Sequence, residues 1–182
     1  MNTLSIRHLT NLAVASAVAL CGSGVAQAAT QYGSGSFTWD AGISSVWSMA
    51  SGGPYNTAAW TNGNDAVFEG TAGTVSIDAA GVTAQNLTFS TAGFTVQNNT
   101  LTLSGTPVLT AGANATISAN IAGAAGLTKA GSASLTLLGT NTYSGSTSVS
   151  AGILQIGNAT VNPSLNAATY TIGANSTLYL YS

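Results

Sequence analysis

The chain has 182 residues, which is enough for one ordinary domain. Charged residues make up only 3% of the chain, against about 25% in a typical soluble domain. Hydrophobic residues make up 45%, so a core can still form. The only Lys and Arg residues are Arg7 and Lys129. This excludes a nucleic-acid reader, because such proteins neutralise phosphates with clusters of basic side chains.

Residues 1–28 have the pattern of a removable secretory signal peptide. A short, weakly positive start ends at His8, and residues 9–20 are mostly apolar. Residues 26–28 (Ala-Gln-Ala) form a small-x-small cleavage site. We therefore expect cleavage after Ala28 and export of the remaining chain.

Two alternatives for this N-terminal segment stay open. One is a retained anchor, although the apolar run is shorter than the roughly 20 residues that a transmembrane helix needs. The other is lipid attachment to Cys21, for which the preceding Leu20 is an unfavourable neighbour because such sites prefer a small residue there.

Residues 29–69 are predicted to form a linker and a Trp-rich N-terminal cap. Residues 31–36 (QYGSGS) have the composition of a flexible Gly/Ser joint. Every tryptophan of the chain follows this joint: Trp39, Trp47 and Trp60. Together with Tyr55 they could form a carbohydrate-stacking platform. We favour a cap, because the tryptophans precede the first regular strands and terminal repeats need capping.

From residue 70 to residue 182, short runs alternate apolar and polar residues. This period of two predicts half-buried β-strands, and the Gly, Asn and Ser between the runs predict turns. No stretch shows a convincing helical period. Pairs of apolar residues two positions apart mark the runs: Val75 and Ile77, Leu87 and Phe89, Phe94 and Val96, Leu101 and Leu103, Leu135 and Leu137, Leu154 and Ile156, Tyr170 and Ile172, and Leu178 and Leu180.

Such strands can build a sandwich, a barrel or a coiled stack. The stack is favoured because the strands are very short and alike. The segments GTVSIDAAG, NTLTLSGTP and ASLTLLGTN share one rhythm, which is typical of a repeat architecture. The single Asn-Gly pair, at 62–63, does not separate two adjacent strands, so hairpins are not indicated. With roughly 20–25 residues a turn, the segment 70–182 predicts about five turns.

One long motif makes the prediction specific. Residues 126–158, GLTKAGSASLTLLGTNTYSGSTSVSAGILQIGN, resemble the autotransporter-associated β-strand repeat, also called the passenger-associated transport repeat. The matching positions, in order and spacing, include Gly126, Leu127, Thr128, Lys129, Leu135, Leu137, Gly139, Asn141, Tyr143, Gly145, Gly152 and Leu154.

The resemblance covers roughly residues 39–158, because the upstream segment is similar to the first passenger segment of the same exported proteins. It implies an all-β, right-handed parallel β-helix at the surface of a Gram-negative cell. It also implies partners in export: an outer-membrane machinery or a C-terminal membrane β-barrel. The sequence ends in an alternating run, residues 176–182, so we expect either truncation or a relative that lost its exporter.

The four acidic residues offer little for catalysis or metal binding. Asp65 and Glu69, four apart in a strand, would lie about 13 Å apart, too far for a retaining glycosidase pair at about 5 Å. Asp65 is predicted to be a turn residue, with a calcium site as the sharper alternative. Asp40 and Asp78 stand alone and are also predicted to be turn residues.

Beyond residue 28 the chain has no histidine and no cysteine. Zinc sites and thiol nucleophiles are therefore not expected, and serine lacks its usual base. Lys129 would act as a base only if it were buried with a lowered pKa; we expect it to reach into water instead.

The sequence thus predicts a non-enzymatic structural passenger segment without cofactors. It would act as a stalk or an adhesive surface outside the cell, and its folding would assist secretion. The alternative is a carbohydrate-binding or polysaccharide-cleaving β-helix whose partners are cell-surface or matrix glycans.

Overall fold

The structure is a computed structural model that describes residues 27–161 and 167–181. Most of the predicted signal peptide, residues 1–26, lies outside this range, so its prediction stays untested. The described part contains seventeen strands and no helix, and accordingly no helix there is long and apolar enough to cross a membrane.

In chain order the strands are β1 (Thr30–Gly33), β2 (Phe37–Trp39), β3 (Asp65–Phe68), β4 (Thr74–Ile77), β5 (Val82–Ala84), β6 (Leu87–Phe89), β7 (Phe94–Gln97), β8 (Thr100–Leu103), β9 (Val108–Ala111), β10 (Ala115–Ile117), β11 (Asn120–Ala122), β12 (Leu127–Ala130), β13 (Ser134–Leu137), β14 (Thr147–Val149), β15 (Gly152–Ile156), β16 (Tyr170–Ile172) and β17 (Ser176–Leu180).

All these strands pair in parallel, in three sheets. The first sheet has the order β1-β3-β6-β9-β12-β14-β16 and the second the order β2-β4-β7-β10-β13-β15-β17. The third contains β5, β8 and β11. Because chain neighbours lie in different sheets, each coil visits the sheets in turn and then stacks on the coil before it. The predicted parallel β-solenoid is therefore confirmed.

The coil length is regular from β3 onward. Paired residues of neighbouring coils are 19 to 24 positions apart in the sequence. The first sheet takes five steps from β3 to β16. Both values agree with the predicted coil of roughly 20–25 residues and the predicted five turns.

The core is a set of straight columns inside the solenoid. In the strands from β3 to β15, alternate residues point inward, as the period of two requires, and these positions are buried, whereas the inward residues of β16 and β17 are partly exposed. One column on the second sheet contains Phe37, Val75, Val96, Ile117, Leu137, Ile156 and Leu180. One column on the first sheet contains Ala66, Leu87, Leu109, Lys129, Val149 and Ile172.

The Gly/Ser joint predicted at residues 31–36 is wrong for its first half. Residues Thr30–Gly33 form β1, which pairs in register with β3. The Gln31 side chain is buried, and its Nε2 donates to the Ala59 carbonyl oxygen at 2.8 Å. The pairing with β3 orders this segment despite its composition, because backbone hydrogen bonds do not depend on side-chain type.

Candidate functional site

The three tryptophans form one aromatic cluster in the first coil. Trp39 ends β2, whereas Trp47 and Trp60 lie on the irregular segment between β2 and β3. Their ring centroids are 4.9 to 5.2 Å apart. Phe37 and Phe68 pack against the cluster with centroids 5.1 to 5.7 Å away. Such tilted and edge-to-face pairs stabilise a core beyond their buried area.

These indole rings are closed to solvent. Trp39 and Trp47 have 0% of their surface exposed and Trp60 has 1%. Trp60 Nε1 donates to Asn62 Oδ1 at 3.2 Å and to the Thr83 carbonyl oxygen at 3.3 Å. A sugar ring stacks only on an exposed aromatic face, so in this conformation the cluster fills the end of the rod and offers no stacking platform.

The segment that carries Trp47 and Trp60 is tied to the first sheet by hydrogen bonds. Oxygens of the Glu69 carboxylate accept from Ser51 Oγ at 2.8 Å, the Gly52 amide at 2.7 Å and Tyr55 Oη at 3.1 Å. Burial, and then the neighbouring Glu69 carboxylate, raise the pKa of the Tyr55 hydroxyl. Tyr55 therefore holds the loop as a neutral donor, and it is not part of an exposed aromatic platform.

Two of the isolated aspartates confirm their predicted role in turns. Asp40 Oδ1 accepts from the amides of Ile43 and Ser44 at 3.1 and 2.7 Å. Burial would raise the pKa of the Asp40 carboxyl, but its hydrogen bonds to Ser44 and Ile43 hold that pKa below the usual value. Asp78 Oδ1 accepts from the Ala80 amide at 3.2 Å. The Asp78 contact, two residues on, is an Asx-turn, whereas Asp40 holds its turn through the amides three and four residues on.

Asp65 does not lie in a turn, so that prediction is wrong. It is the first residue of β3, and its Oδ1 accepts from the Asn86 amide at 3.1 Å and from Asn86 Nδ2 at 2.8 Å. Asn86 Oδ1 in turn accepts from the Val108 amide at 2.9 Å. The carboxylate thus begins a chain of side-chain contacts that links three coils.

The surroundings of Asp65 give a calcium site no support. Its recorded partners are amide donors, whereas calcium needs a shell of six to eight oxygens. Within the ranges the structure describes, no three Asp, Glu, His or Cys side chains come together in a group suited to a metal.

The transport-repeat motif spans two successive coils. Its first half forms β12 and β13 and its second half forms β14 and β15. Between them, Tyr143 Oη and Thr147 Oγ1 lie 2.8 Å apart in the interior, and burial raises the pKa of the Tyr143 hydroxyl. Asn141 Oδ1 accepts from the Ile121 amide at 3.3 Å. The Asn141 contact therefore joins one coil to the coil before it, and the Tyr143–Thr147 contact holds the connection between β13 and β14.

Glycines of the motif lie where two coils touch through their backbones. A Cβ added at Gly139 would overlap the Ala119 carbonyl of the coil before it, and one added at Gly145 would overlap the Gly126 amide. Neither position has the positive φ that favours glycine. Close approach, and not backbone conformation, therefore requires glycine at these positions.

Lys129 is buried, which corrects the expectation that it reaches into water. Its side chain has 0% exposure and lies in the inner column between Leu109 and Val149. Nζ donates to the carbonyl oxygens of Ala130 at 2.9 Å, Gly131 at 2.8 Å and Ala151 at 3.0 Å. These three acceptors match the three donors of an ammonium group.

Burial lowers the pKa of the Lys129 ammonium to about 8. From the sequence, Lys129 was expected to act as a base only if it were buried with a lowered pKa, and both conditions are met. All three recorded acceptors are backbone carbonyls, however, and they belong to the two coils of the motif. Lys129 therefore links the two coils of the motif through its hydrogen bonds.

The alternation of residues 127–130 could have predicted that Lys129 points inward, because Leu127 and Lys129 share one face of β12.

Among the grooves on the described outer surface, two shallow open ones have volumes of about 330 and 270 Å³. Thr106, Thr128 and Ser148 are among the residues that line the larger. The smaller is lined in part by one threonine from each of three successive coils: Thr95, Thr116 and Thr136. Neither groove is lined by a charged residue, so neither offers an acid or a base for hydrolysis.

The fold defines the class of protein as a parallel β-solenoid, and one passenger-associated transport repeat lies within it. The sequence model of the passenger-associated transport repeat matches residues 127–156, almost the whole predicted range 126–158. The chain is also 36% identical, over 129 residues, to the adhesin BmaC autotransporter of Brucella suis biovar 1 (strain 1330). No solved structure matches the chain significantly.

That alignment covers 67% of this chain but only 4% of the relative, so the chain spans a small part of the curated protein it matches. The chain carries an autotransporter passenger repeat, as the sequence motif predicted. It is thereby an exported protein of the cell surface or outer membrane.

Proposed function

We propose that this chain is a structural, non-enzymatic passenger segment that presents an adhesive surface outside the cell. The observation that carries the proposal is the continuity of the solenoid. From β3 to β17, short coils stack in register around an apolar core, and two of these coils form the transport repeat. In such a rod each coil contacts only its neighbours, and the stacked coils together present an extended surface.

The chemistry of the described surface supports a non-enzymatic role. Each acidic side chain makes a structural hydrogen bond: Asp40 and Asp78 in turns, Glu69 to the loop between β2 and β3, and Asp65 to Asn86. Glycoside hydrolysis needs two carboxyl groups facing one bond. Asp65 and Glu69 bind different partners at opposite ends of β3, which does not suit that arrangement.

The similarity to an adhesin supports the adhesive part of the proposal. With so few charges, the surface would act through hydroxyl and amide groups and would recognise neutral partners, such as cell-surface or matrix glycans, without long-range attraction. An outer-membrane translocator, either a C-terminal barrel or separate machinery, would be the partner in export. Stacking of successive coils outside the membrane would then favour outward movement of the chain.

The test is to insert residues 29–182 between a secretion signal and an autotransporter barrel, and to display the fusion on bacteria. We expect surface exposure to antibody and increased adherence to immobilised matrix glycoprotein. The control is the same fusion with Gly139→Val, which prevents two coils from touching. Display without any gain in adherence would remove the adhesive role and leave the stalk. Turnover of a neutral polysaccharide by the purified chain would contradict the non-enzymatic role.

A further inference from the structure

The smaller of the two surface grooves described above collects polar groups that have no partner in the protein. Thr95, Thr116 and Thr136 line it, one from each of three successive coils. Among the described residues, no hydrogen bond reaches any of these three hydroxyl groups. A hydroxyl group can donate one hydrogen bond and accept two. The groove therefore offers unused donors and acceptors in a row, spaced about 4.8 Å apart along the rod.

Asn114 adds a donor beside this row. Its Oδ1 accepts from the amide of Ser134, which belongs to the next coil, at 3.0 Å. This contact fixes the side-chain amide, whereas Asn114 Nδ2 has no hydrogen bond within the described residues. The residue is exposed and lines the same groove. A donor that is already held in place loses little side-chain entropy when it binds a ligand.

This arrangement distinguishes the second sheet from the first. Both outward rows of the first sheet include valine, Val67 in one and Val108 in the other. The row on the second sheet runs from Thr74 to Gln155. At its far end, Gln155 Nε2 already donates to the Gly157 carbonyl oxygen at 2.8 Å. Because β4 and β15 flank the three coils of the groove in the sheet, the groove lies within the rod and not at an end of it.

Charge and strand pairing limit the kind of partner that fits. The only charged residues after residue 70 are Asp78, which is bonded in its turn, and Lys129, which is buried, so an ionic partner would meet no opposite charge. An extended peptide binds by adding to a free sheet edge, but β7, β10 and β13 are each paired on both sides. An apolar partner would leave the hydroxyl groups without hydrogen bonds. A neutral saccharide fits, because its own hydroxyl groups both donate and accept.

We propose that this groove binds a short segment of a neutral oligosaccharide, with Thr95, Thr116, Thr136 and Asn114 as its hydrogen-bonding residues. The inference rests on the proposed adhesive function and deepens it, because it assigns the surface that a neutral glycan contacts. A volume of about 270 Å³ is small for a ligand site, so a single groove is expected to bind weakly. Many copies of the chain on one cell surface would add these weak contacts through multivalency.

The test is an NMR titration of the purified, nitrogen-15-labelled chain with maltotriose, mannotriose and chitotriose in separate samples. We expect at least one of these neutral sugars to shift the amide signals of the groove residues, with a dissociation constant of about 1 mM or weaker. Thr116→Val keeps the branched shape but removes the hydroxyl group, and should weaken binding about fivefold. Thr102→Val is the matched control, because Thr102 is an outward threonine of the third sheet; this variant should bind as the unaltered chain does.

Three results would overturn the proposal: no shift with any of the sugars up to about 100 mM, shifts confined to the larger groove, or unchanged affinity in Thr116→Val. If Thr116→Val lowers the melting temperature, Thr95→Val applies the same test one coil earlier. The adherence assay described above separates this proposal from the proposed function. Adherence of the displayed chain without sugar binding in the groove contradicts the groove alone. Sugar binding in the groove without adherence contradicts the adhesive function and, with it, the role assigned to the groove.

Discussion

The capped end and the transport repeat both stack one coil on another, but they use different side chains to do so. At the cap, paired residues are 35 to 38 positions apart, because a long loop with two tryptophans lies between β2 and β3. In the repeat the step is 19 to 20 positions, and aliphatic columns, glycines and Lys129 make the contact. The interior of the irregular first coil is thus filled by large aromatic rings, whereas the coils of the repeat fill theirs mainly with aliphatic side chains in register.

The largest expected loss of stability is at the cap. Trp47→Ala removes a fully buried ring that contacts Phe37, Trp39 and Trp60, and should lower the free energy of unfolding by about 3–5 kcal/mol. Urea denaturation followed by tryptophan fluorescence measures it. Trp47→Phe keeps most of the ring and should lose clearly less. An equal loss of unfolding free energy in both variants would contradict the account that the volume of the Trp47 ring stabilises this end.

The next largest loss of stability is expected where two coils of the repeat touch. Gly139→Ala places a methyl group against the Ala119 carbonyl and should cost about 1–3 kcal/mol, because the backbone of one coil must shift. Thr140→Ala is the neighbouring control. Residue 140 is exposed, so this change should stay within about 0.5 kcal/mol. Denaturation midpoints of the two variants give the comparison, and a tolerated alanine at 139 would argue against backbone contact there.

A smaller effect is the pH dependence of the free energy of unfolding. It distinguishes the repeat from the cap, because the buried lysine, Lys129, belongs to the repeat. Its pKa is about 8 in the folded chain against an ordinary 10.5. Between these values the unfolded chain binds a proton that the folded chain does not, so stability should rise with pH. From pH 8 to about 9.5, before tyrosines titrate near 10, the rise should be roughly 1–2 kcal/mol.

Lys129→Met is the control for that measurement, since it removes the titrating group and should give a flat profile over the same range. Thermal melts at half-unit pH intervals test both chains. A flat profile for the unaltered chain, or an equal rise in the Met variant, would show that Lys129 does not carry the pH dependence.

The smallest effect is at the surface of the cap. Glu69→Gln keeps the shape but weakens the acceptor of Ser51, Gly52 and Tyr55, and should cost about 1 kcal/mol or less because the contacts are largely exposed. Faster proteolysis near residues 51–55, measured by limited digestion and mass spectrometry, is the more sensitive measurement. Asp78→Asn, whose carboxylate is not part of the loop, should leave the cleavage rate unchanged.

The regular coils could be predicted from the sequence because each position repeats the same environment. Alternation placed residues such as Leu135 and Leu137 inside, and the motif located the two coils that contain them. The cap could be predicted only by composition. Nothing local indicates that Gln31 is buried in β1, because its side-chain partners lie about 30 positions away. The inward positions of Trp47 and Trp60 likewise depend on distant partners, Phe68 and Thr83.

Polar residues were the least predictable part of the candidate site. Lys129 was expected in water because a lysine is seldom buried, yet three carbonyls at a coil junction satisfy its ammonium group. Asp65 was predicted to be a turn residue, but its partner Asn86 lies one coil away. In both cases a partner supplied by the coil structure decides the environment.

The most direct test of the solenoid is a distance between two spin labels attached to the outward positions Thr74→Cys and Gln155→Cys, with Cys21 replaced by Ser. These residues are 81 positions apart in the sequence, but Thr74, Thr95, Thr116, Thr136 and Gln155 form one ladder of paired neighbours. Four steps of 4.8 Å predict a separation of about 19 Å between the two backbone positions. Double electron–electron resonance should therefore give one narrow distribution near that value. A separation of twice that length, or a broad distribution, would contradict the stacked solenoid.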